Sequence, residues 1–386
     1  MSQEIYILSA VRTPVGSFCK SLSQLSAPRL ASFAITEAVK RAHVQPQNID
    51  EVIMGCVLTA GVGQAPARQA AIFAGLPSSV PCMTINKVCG SGLKAVMLGA
   101  QSISVGDSET VVAGGMESMS QTPYLIEKGR AGYRLGHGQV IDSMIKDGLW
   151  DVYNNFHMGT AAELCVKKYK FTRKAQDEWA IQSYKRAQEA ISHGYFKDEI
   201  VPVKIEEGKK IILIDQDEGP SRVNFEKIPG LQPVFEKDGT ITAANASSLN
   251  DGAAALVLSS EKKGTQLAKI LGWSTHAQEP EWFTTAPIEA VKKLLKKLKM
   301  KTSDIDLFEI NEAFAAVTLA AIEELKLDPQ KVNIHGGAVA LGHPIGASGV
   351  RILTTLIYAL KRKKMKRGIA TLCIGGGEAV ALAVEV

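Results

Sequence analysis

The chain has 386 residues, and its 44 basic against 39 acidic side chains leave a surplus of only +5, too small to mark a polyanion binder. With 46% hydrophobic and 22% charged residues it has enough apolar surface to bury a core, which excludes a disordered chain, and its length predicts roughly two domains or repeats. Six cysteines (Cys19, Cys56, Cys82, Cys89, Cys165, Cys373) show neither CxxC nor Cys/His spacing, so no metal site is expected.

The first residues run into Ile5-Tyr6-Ile7-Leu8 without a basic leader or cleavage site. Apolar runs such as Ala253 to Leu258 fall far below the roughly 18 residues of a membrane span. The expectation is a soluble, cytoplasmic protein without disulfides or a membrane partner.

In chain order, residues 4–11 read as a strand. Residues 28–43 read as a helix, with Ser26 as cap, Pro28 in the first turn, and Leu30, Phe33, Ala34 and Ala38 on one face. Strands follow at 51–58 and Met83 to Asn86, then a helix over 90–105 carrying Leu93, Val96, Met97, Ala100 and Ile103 at the 3.6 period, then a strand at 110–113. Gly61-Val62-Gly63 sits like a dinucleotide-binding turn, but Pro66 occupies the third glycine position, which excludes that use. Residues 119–240 are rich in Gly, Tyr, His and charge, and contain a helix capped by Thr172 with Ala180, Tyr184, Ala187 and Ile191 along one face. The alternation of strands and amphipathic helices predicts an α/β fold with a mostly buried sheet.

Three segments recur downstream. Asn48-Ile49-Asp50-Glu51-Val52-Ile53 matches Asp304-Ile305-Asp306-Leu307-Phe308-Glu309, Cys89-Gly90-Ser91-Gly92 matches Gly346-Ala347-Ser348-Gly349, and Val111-Val112-Ala113-Gly114-Gly115 matches Ala370-Thr371-Leu372 with Gly375-Gly376-Gly377 beyond. Each offset is about 255 positions, and a shared offset is the mark of duplication. The expected organisation is one half from 1–118 plus 240–267, a second half from 268–386, and an inserted domain over 119–239 of the kind that covers a ligand site. Residues 260–267 are the expected linker between the halves.

Four residues stand where chemistry is expected. Cys89 falls between a strand and a helix, where the helix dipole and free N–H groups favour a thiolate; the alternative is core filler. His343 lies in Gly342-His343-Pro344-Ile345-Gly346-Ala347-Ser348-Gly349, which the repeat relates to the Cys89 neighbourhood. Cys373 ends a strand before Gly375-Gly376-Gly377, whose N–H groups are free to hold an oxyanion. Asn311 is either a helix cap or a group that orients a water. The lysine-rich helix over 292–301 and the basic run 361–367 read as solvated faces, since no aromatic residues interleave them; no nucleic acid partner is expected.

Taken together, Asn86-Lys87-Val88-Cys89-Gly90-Ser91-Gly92, Asn311-Glu312-Ala313-Phe314-Ala315, the His343 segment and Cys373-Ile374-Gly375-Gly376-Gly377 resemble the four active-site motifs of the thiolases, in order and over nearly the whole chain. The resemblance implies a five-layered αβαβα fold of two related halves plus a loop domain. It implies an acyltransferase that condenses two acetyl-CoA reversibly into acetoacetyl-CoA by a ping-pong route, with a broader 3-ketoacyl-CoA thiolase as the alternative. Coenzyme A thioesters are then substrates, with no further cofactor. Cys89 would be the nucleophile, His343 its activator, Cys373 the base for the α-proton and Asn311 the anchor of a water, with N–H groups of Cys89 and Gly375 as an oxyanion hole. His157-Met158-Gly159 resembles the stretch that marks the short-chain type. Leu149, Arg222, Phe235, Ser247 and Leu249 match positions along the coenzyme A channel, and Phe314 belongs to the acyl site.

The chain departs from the family at Ser248, where glycine is usual, and at Trp282-Phe283-Thr284, where Phe283 would reshape the acyl site. A decarboxylating β-ketoacyl synthase is disfavoured by Cys373, and a non-catalytic acyl-CoA or RNA binder by the intact motifs. The family also implies a homotetramer joined through residues 119–140.

Overall fold

The computed structural model describes residues 4–262 and 266–386, so residues 263–265 of the expected linker lie outside the described residues. The first half runs β1 (Tyr6–Arg12), α1 (Ala27–Arg41), β2 (Glu51–Gly55), α2 (Pro66–Phe73), β3 (Cys82–Ile85), α3 (Ser91–Val105) and β4 (Thr110–Ser118). The insertion holds α4 (Met158–Tyr169) and α5 (Arg173–Ser192), and the chain then returns to the first half as β5 (Asn250–Ser259). The second half follows as β6 (Ala268–Ala277), α6 (Ala286–Leu298), β7 (Leu307–Ile310), α7 (Ala315–Leu325), α8 (Ser348–Lys363), β8 (Arg367–Ile374) and β9 (Glu378–Glu385).

The duplication is visible in the pairing. In the first half the strand order is β1-β5-β4-β2-β3, and in the second β6-β9-β8-β7. β1 pairs antiparallel with β5 as β6 does with β9; β5 pairs antiparallel with β4 as β9 does with β8; β4 lies parallel to β2 as β8 does to β7. A parallel bridge from Phe308 to Val332 stands where β3 pairs with β2. Among the described residues the two sheets meet edge to edge at Tyr6–Lys269 and Ile7–Ala268, with Ile270 N–H donating to the Ile5 carbonyl beside them.

Period-2 alternation with both faces apolar explains why the strands are buried throughout. On β5, Ala254, Leu256 and Leu258 face α3 and α8, while Ala253, Ala255 and Val257 face α1 and α2. On β9, Val380, Leu382 and Val384 point to the same central helices, while Ala379, Ala381 and Ala383 point to α6 and α7. The layers are therefore α1/α2, sheet, α3/α8, sheet, α6/α7.

One expectation stands with a qualification and one needs correction. The segment Val88–Val105 averages a hydropathy of 1.2 over 18 residues, long and apolar enough for a membrane span although no uninterrupted apolar run reaches that length. Its apolarity is that of a central helix packed between two sheets, and 56% of the window is buried. The strand expected at 110–113 continues to Ser118 through Gly114 and Gly115. A Cβ on Gly115 would lie 2.0 Å from the Gly346 carbonyl oxygen, so the glycines that look like a strand end are instead where the α8 turn rests on the sheet.

α4 and α5 leave the first half but pack on the second, where Trp179 Nε1 and Ser183 Oγ donate to the buried Glu312 carboxylate at 3.0 and 2.7 Å. Thr172 caps α5 by accepting from the Ala175 N–H, as its position predicts, whereas Ser26 occupies the cap of α1 without a side-chain bond.

Candidate active site

Cys89 is presented by a tight elbow between β3 and α3. Val88 adopts φ 45°, a left-handed conformation that costs a β-branched residue roughly 1–3 kcal/mol. Three hydrogen bonds hold it there: Val88 N–H to Asn86 Oδ1 (2.9 Å), Lys87 N–H to Ser91 Oγ (2.8 Å) and Ser91 Oγ–H to the Val88 carbonyl (2.7 Å). The neighbouring α8 turn comes close because two glycines leave room. A Cβ on Gly349 would lie 2.3 Å from Leu93 N, and one on Gly92 would lie 3.0 Å from the Gly346 carbonyl oxygen. The amino-terminal ends of the two central helices thus meet, and with them Cys89 and the His343 segment.

The backbone N–H groups of Gly375 and of Cys89 itself pull the Cys89 thiol down, yet burial outweighs them and pushes it up to about 11. The thiolate expected from the helix terminus is therefore not the resting form; the thiol is neutral and needs a base. His343 is buried and its N–H donates to Asn250 Oδ1 at 2.9 Å. Ser348 Oγ donates its hydrogen to the Pro344 carbonyl (2.9 Å), so its 2.6 Å contact with His343 Nδ1 assigns the ring proton to Nδ1 and leaves Nε2 an acceptor. Burial, with Arg351 nearby, pushes the imidazole down to about 3, so it stays neutral.

Asn311 follows β7 and is buried, its amide nitrogen 3.4 Å from His343 Nε2, too long to occupy that lone pair fully. Its Oδ1 is buried without a partner among the described residues. Cys373 lies behind at the end of β8, where burial first and the neighbouring Cys89 second raise its thiol well above the ordinary range.

Cys89, His343 and Gly375 open on a mostly apolar cavity of about 480 Å³. Leu149, Ser247 and Leu249 line it, as do His157, Met158, Phe235, Phe283 and Phe314. His157 caps α4, its Nδ1 accepting from the Gly159 N–H at 3.0 Å, and it stacks on Phe235 with centroids 4.8 Å apart. Phe235 meets Phe314 edge to face, as does the buried Phe283, which gives the cavity one continuous aromatic wall. Asn311 and Cys373 sit beneath the wall rather than on it, and Arg222 is exposed and off the cavity.

Several contributors were not legible in the sequence. Met119, Met144, Ile145 and Ile345 complete the cavity wall. Asn250 Oδ1 accepts from both His343 N–H and Ser248 Oγ (2.9 Å), so the serine that replaces the usual glycine braces the histidine segment. Glu312, beside Asn311, also accepts from Asn333 Nδ2 at 2.9 Å and Val339 N–H at 3.1 Å. A charged residue at the mouth of an apolar strand or helix is the signal that would have singled out Glu312.

The known proteins agree with this architecture. Residues 5–262 match the family "Thiolase, N-terminal domain" and residues 264–386 match "Thiolase, C-terminal domain". The chain is 51% identical to acetyl-CoA acetyltransferase 1 of Arabidopsis thaliana, over 99% of this chain and 94% of that protein. It is 50% identical to the cytosolic acetyl-CoA acetyltransferase ERG10 of Gibberella zeae, over 99% and 98% of the two chains. Among solved structures, the acetyl-CoA acetyltransferase of Bacillus anthracis superposes with a TM-score of 0.97 at 45% identity, covering 100% and 99%. The Acat5 thiolase of Ascaris suum, crystallised in complex with coenzyme A, superposes with a TM-score of 0.93 at 46% identity, covering 99% of each chain. The chain belongs to the thiolase family, and it is an acyltransferase.

Proposed function

We propose that the protein is an acetyl-CoA C-acetyltransferase, converting two acetyl-CoA reversibly into acetoacetyl-CoA and CoA. The observation that carries this reading is one apolar cavity lined by Cys89, Gly375 and a neutral His343, with the backbone N–H groups of Cys89 and Gly375 beside the sulfur.

In the first half-reaction the Cys89 sulfur attacks the thioester carbonyl while its proton passes to His343 Nε2, the ring nitrogen left as an acceptor and approached by the Asn311 amide at 3.4 Å. The two N–H groups stabilise the negative oxygen of the tetrahedral intermediate. Its collapse breaks the bond to the CoA sulfur, which takes the proton from His343 and leaves acetyl-Cys89. Before the second half-reaction Cys373 gives its own proton to solvent, and it takes one back after the product leaves, so the cycle returns to its starting form. In the second half-reaction Cys373 takes an α-proton from the second acetyl-CoA. The resulting carbanion attacks acetyl-Cys89, and the departing Cys89 sulfur recovers the proton from Cys373.

The aromatic wall of His157, Phe235, Phe314 and Phe283 favours the acetyl group over longer chains. The apolar residues Leu149, Phe235 and Leu249 suit a pantetheine arm, and exposed Arg222 suits phosphate in solvent. Exposed Tyr124, Ile126, Leu135 and Val140 support assembly through residues 119–140 into a homotetramer, which light scattering would test. Likeness to the cytosolic Gibberella protein supports a cytoplasmic location. The decisive variant is Cys373→Ala, expected to retain one equivalent of CoA release from acetyl-CoA and to lose condensation. Condensation at the wild-type rate would remove Cys373 from the mechanism.

A further inference from the structure

Glu117 is a buried carboxylate in β4 that the scheme above does not use. It accepts hydrogen bonds from Val57 N–H (3.1 Å) and Leu58 N–H (3.1 Å) in the loop after β2, and from Gly346 N–H (2.9 Å) in the turn that carries His343. Cys56 Sγ approaches it at 3.8 Å. No cation pairs with it among the described residues. Gly346 must be glycine for this contact, since a Cβ there would lie 2.8 Å from Glu117 Oε2 and 2.5 Å from the Met116 carbonyl oxygen.

The segments that Glu117 joins belong to different halves of the molecule. Directly above it, Val57, Leu58 and Met119 from the first half pack against Ile345 from the second, and Cys89 and Leu249 rest on that cluster. One carboxylate therefore ties the His343 turn to the loop that supports Cys89. We propose that Glu117 is a positioning residue, a latch that in its charged form holds the His343 turn against the Cys89 wall of the cavity and that loosens when it is protonated.

A protonated carboxyl cannot accept equally at both oxygens and turns one of them into a donor facing an N–H group. Burial raises Glu117 to about 7, against the pull of its three N–H donors, so the change falls near neutrality. The titratable groups around it do not share that range. Cys56 is pushed well above its ordinary value by burial and by Glu117, Cys89 is raised to about 11, and His343 is lowered to about 3. Asp251 on the adjacent β5 is turned to Ser120, whose N–H and Oγ bond it at 2.9 and 2.5 Å. The sign is fixed: the latch is held above the Glu117 pKa and released below it, so acyl transfer falls on acidification.

The inference rests on the acyl transfer proposed above, and single-turnover release of CoA from acetyl-CoA, followed from pH 5.5 to 8.5, tests it. Wild-type protein is expected to lose roughly tenfold in rate from pH 8 to pH 6. Glu117→Gln is expected to be slower by roughly 10- to 100-fold at pH 8 and nearly flat across the range, because its amide cannot titrate. Glu117→Asp, which keeps a carboxylate, should recover a sloping profile. Cys56→Ser, whose hydroxyl is a stronger donor to the carboxylate, should move the acid limb to lower pH with little change at pH 8. A wild-type profile flat down to pH 6 overturns the proposal even if the Gln variant fails to fold. So does a Gln variant that keeps the wild-type limb, or a limb that Cys56→Ser does not move. Absence of CoA release at every pH would instead refute the acyltransferase reading itself.

Discussion

Replacing His343 by alanine isolates the part of catalysis that depends on moving the Cys89 proton. The thiol is raised to about 11, so at pH 8 the difference of three units leaves only about one sulfur in a thousand ionised without help. A general base that takes the proton only as the sulfur attacks avoids a free thiolate, and such bases supply roughly 10²- to 10⁴-fold, a range that spans the about 4 kcal/mol at stake. Loss of the ring frees a lone pair on Ser348 Oγ, but a hydroxyl oxygen is a far weaker base than an imidazole nitrogen and does not replace it. Single-turnover CoA release should therefore fall by about 1000-fold at pH 8 in the variant and climb about tenfold per pH unit toward pH 10. The wild-type rate should stay nearly level over the same range. A variant rate that does not change with pH, or one within fivefold of wild type at pH 8, would refute the assignment of Nε2 as the base.

Phe283→Leu shortens the inner end of the aromatic wall, and the ratio of kcat/KM for a six-carbon over a four-carbon 3-ketoacyl-CoA should rise about tenfold, the worth of a methylene or so in an apolar pocket. An unchanged ratio would show that Phe283 does not limit chain length. Gly349→Ala places a methyl 2.3 Å from the Leu93 nitrogen, where helix backbone and not a flexible side chain must give way. The midpoint of thermal unfolding should fall by at least about 3 °C, with acyl transfer impaired as the two helix ends separate. A variant with wild-type Tm would mean that the contact between the central helices is slack.

Much of the architecture is written locally. The 3.6 period of Leu93, Val96, Met97, Ala100 and Ile103 marks a helix that is in fact buried on that face, and the shared offset near 255 positions marks two halves before any pairing is known. The motif segments also announce Cys89, His343, Asn311 and Cys373 through their resemblance to the thiolase motifs, and around Cys89, His343 and Cys373 glycines signal close backbone approaches. Protonation does not follow from the same signals. A helix terminus favours a thiolate, but Cys89 is half-buried in an apolar cavity, and desolvation exceeds what two N–H groups return.

What the sequence alone determined, then, is the order of elements, the duplication and the candidate reactive side chains, since these depend on residues near one another in the chain. The tertiary structure decided which proton sits where and which residues hold the reactive ones. Glu117 and Gly346 stand 229 positions apart, and Trp179 and Glu312 stand 133 apart. Their contacts arise only when the central helices cross and the insertion folds over the opposite half. Desolvation likewise depends on everything that surrounds a group in space, and no local pattern carries that information.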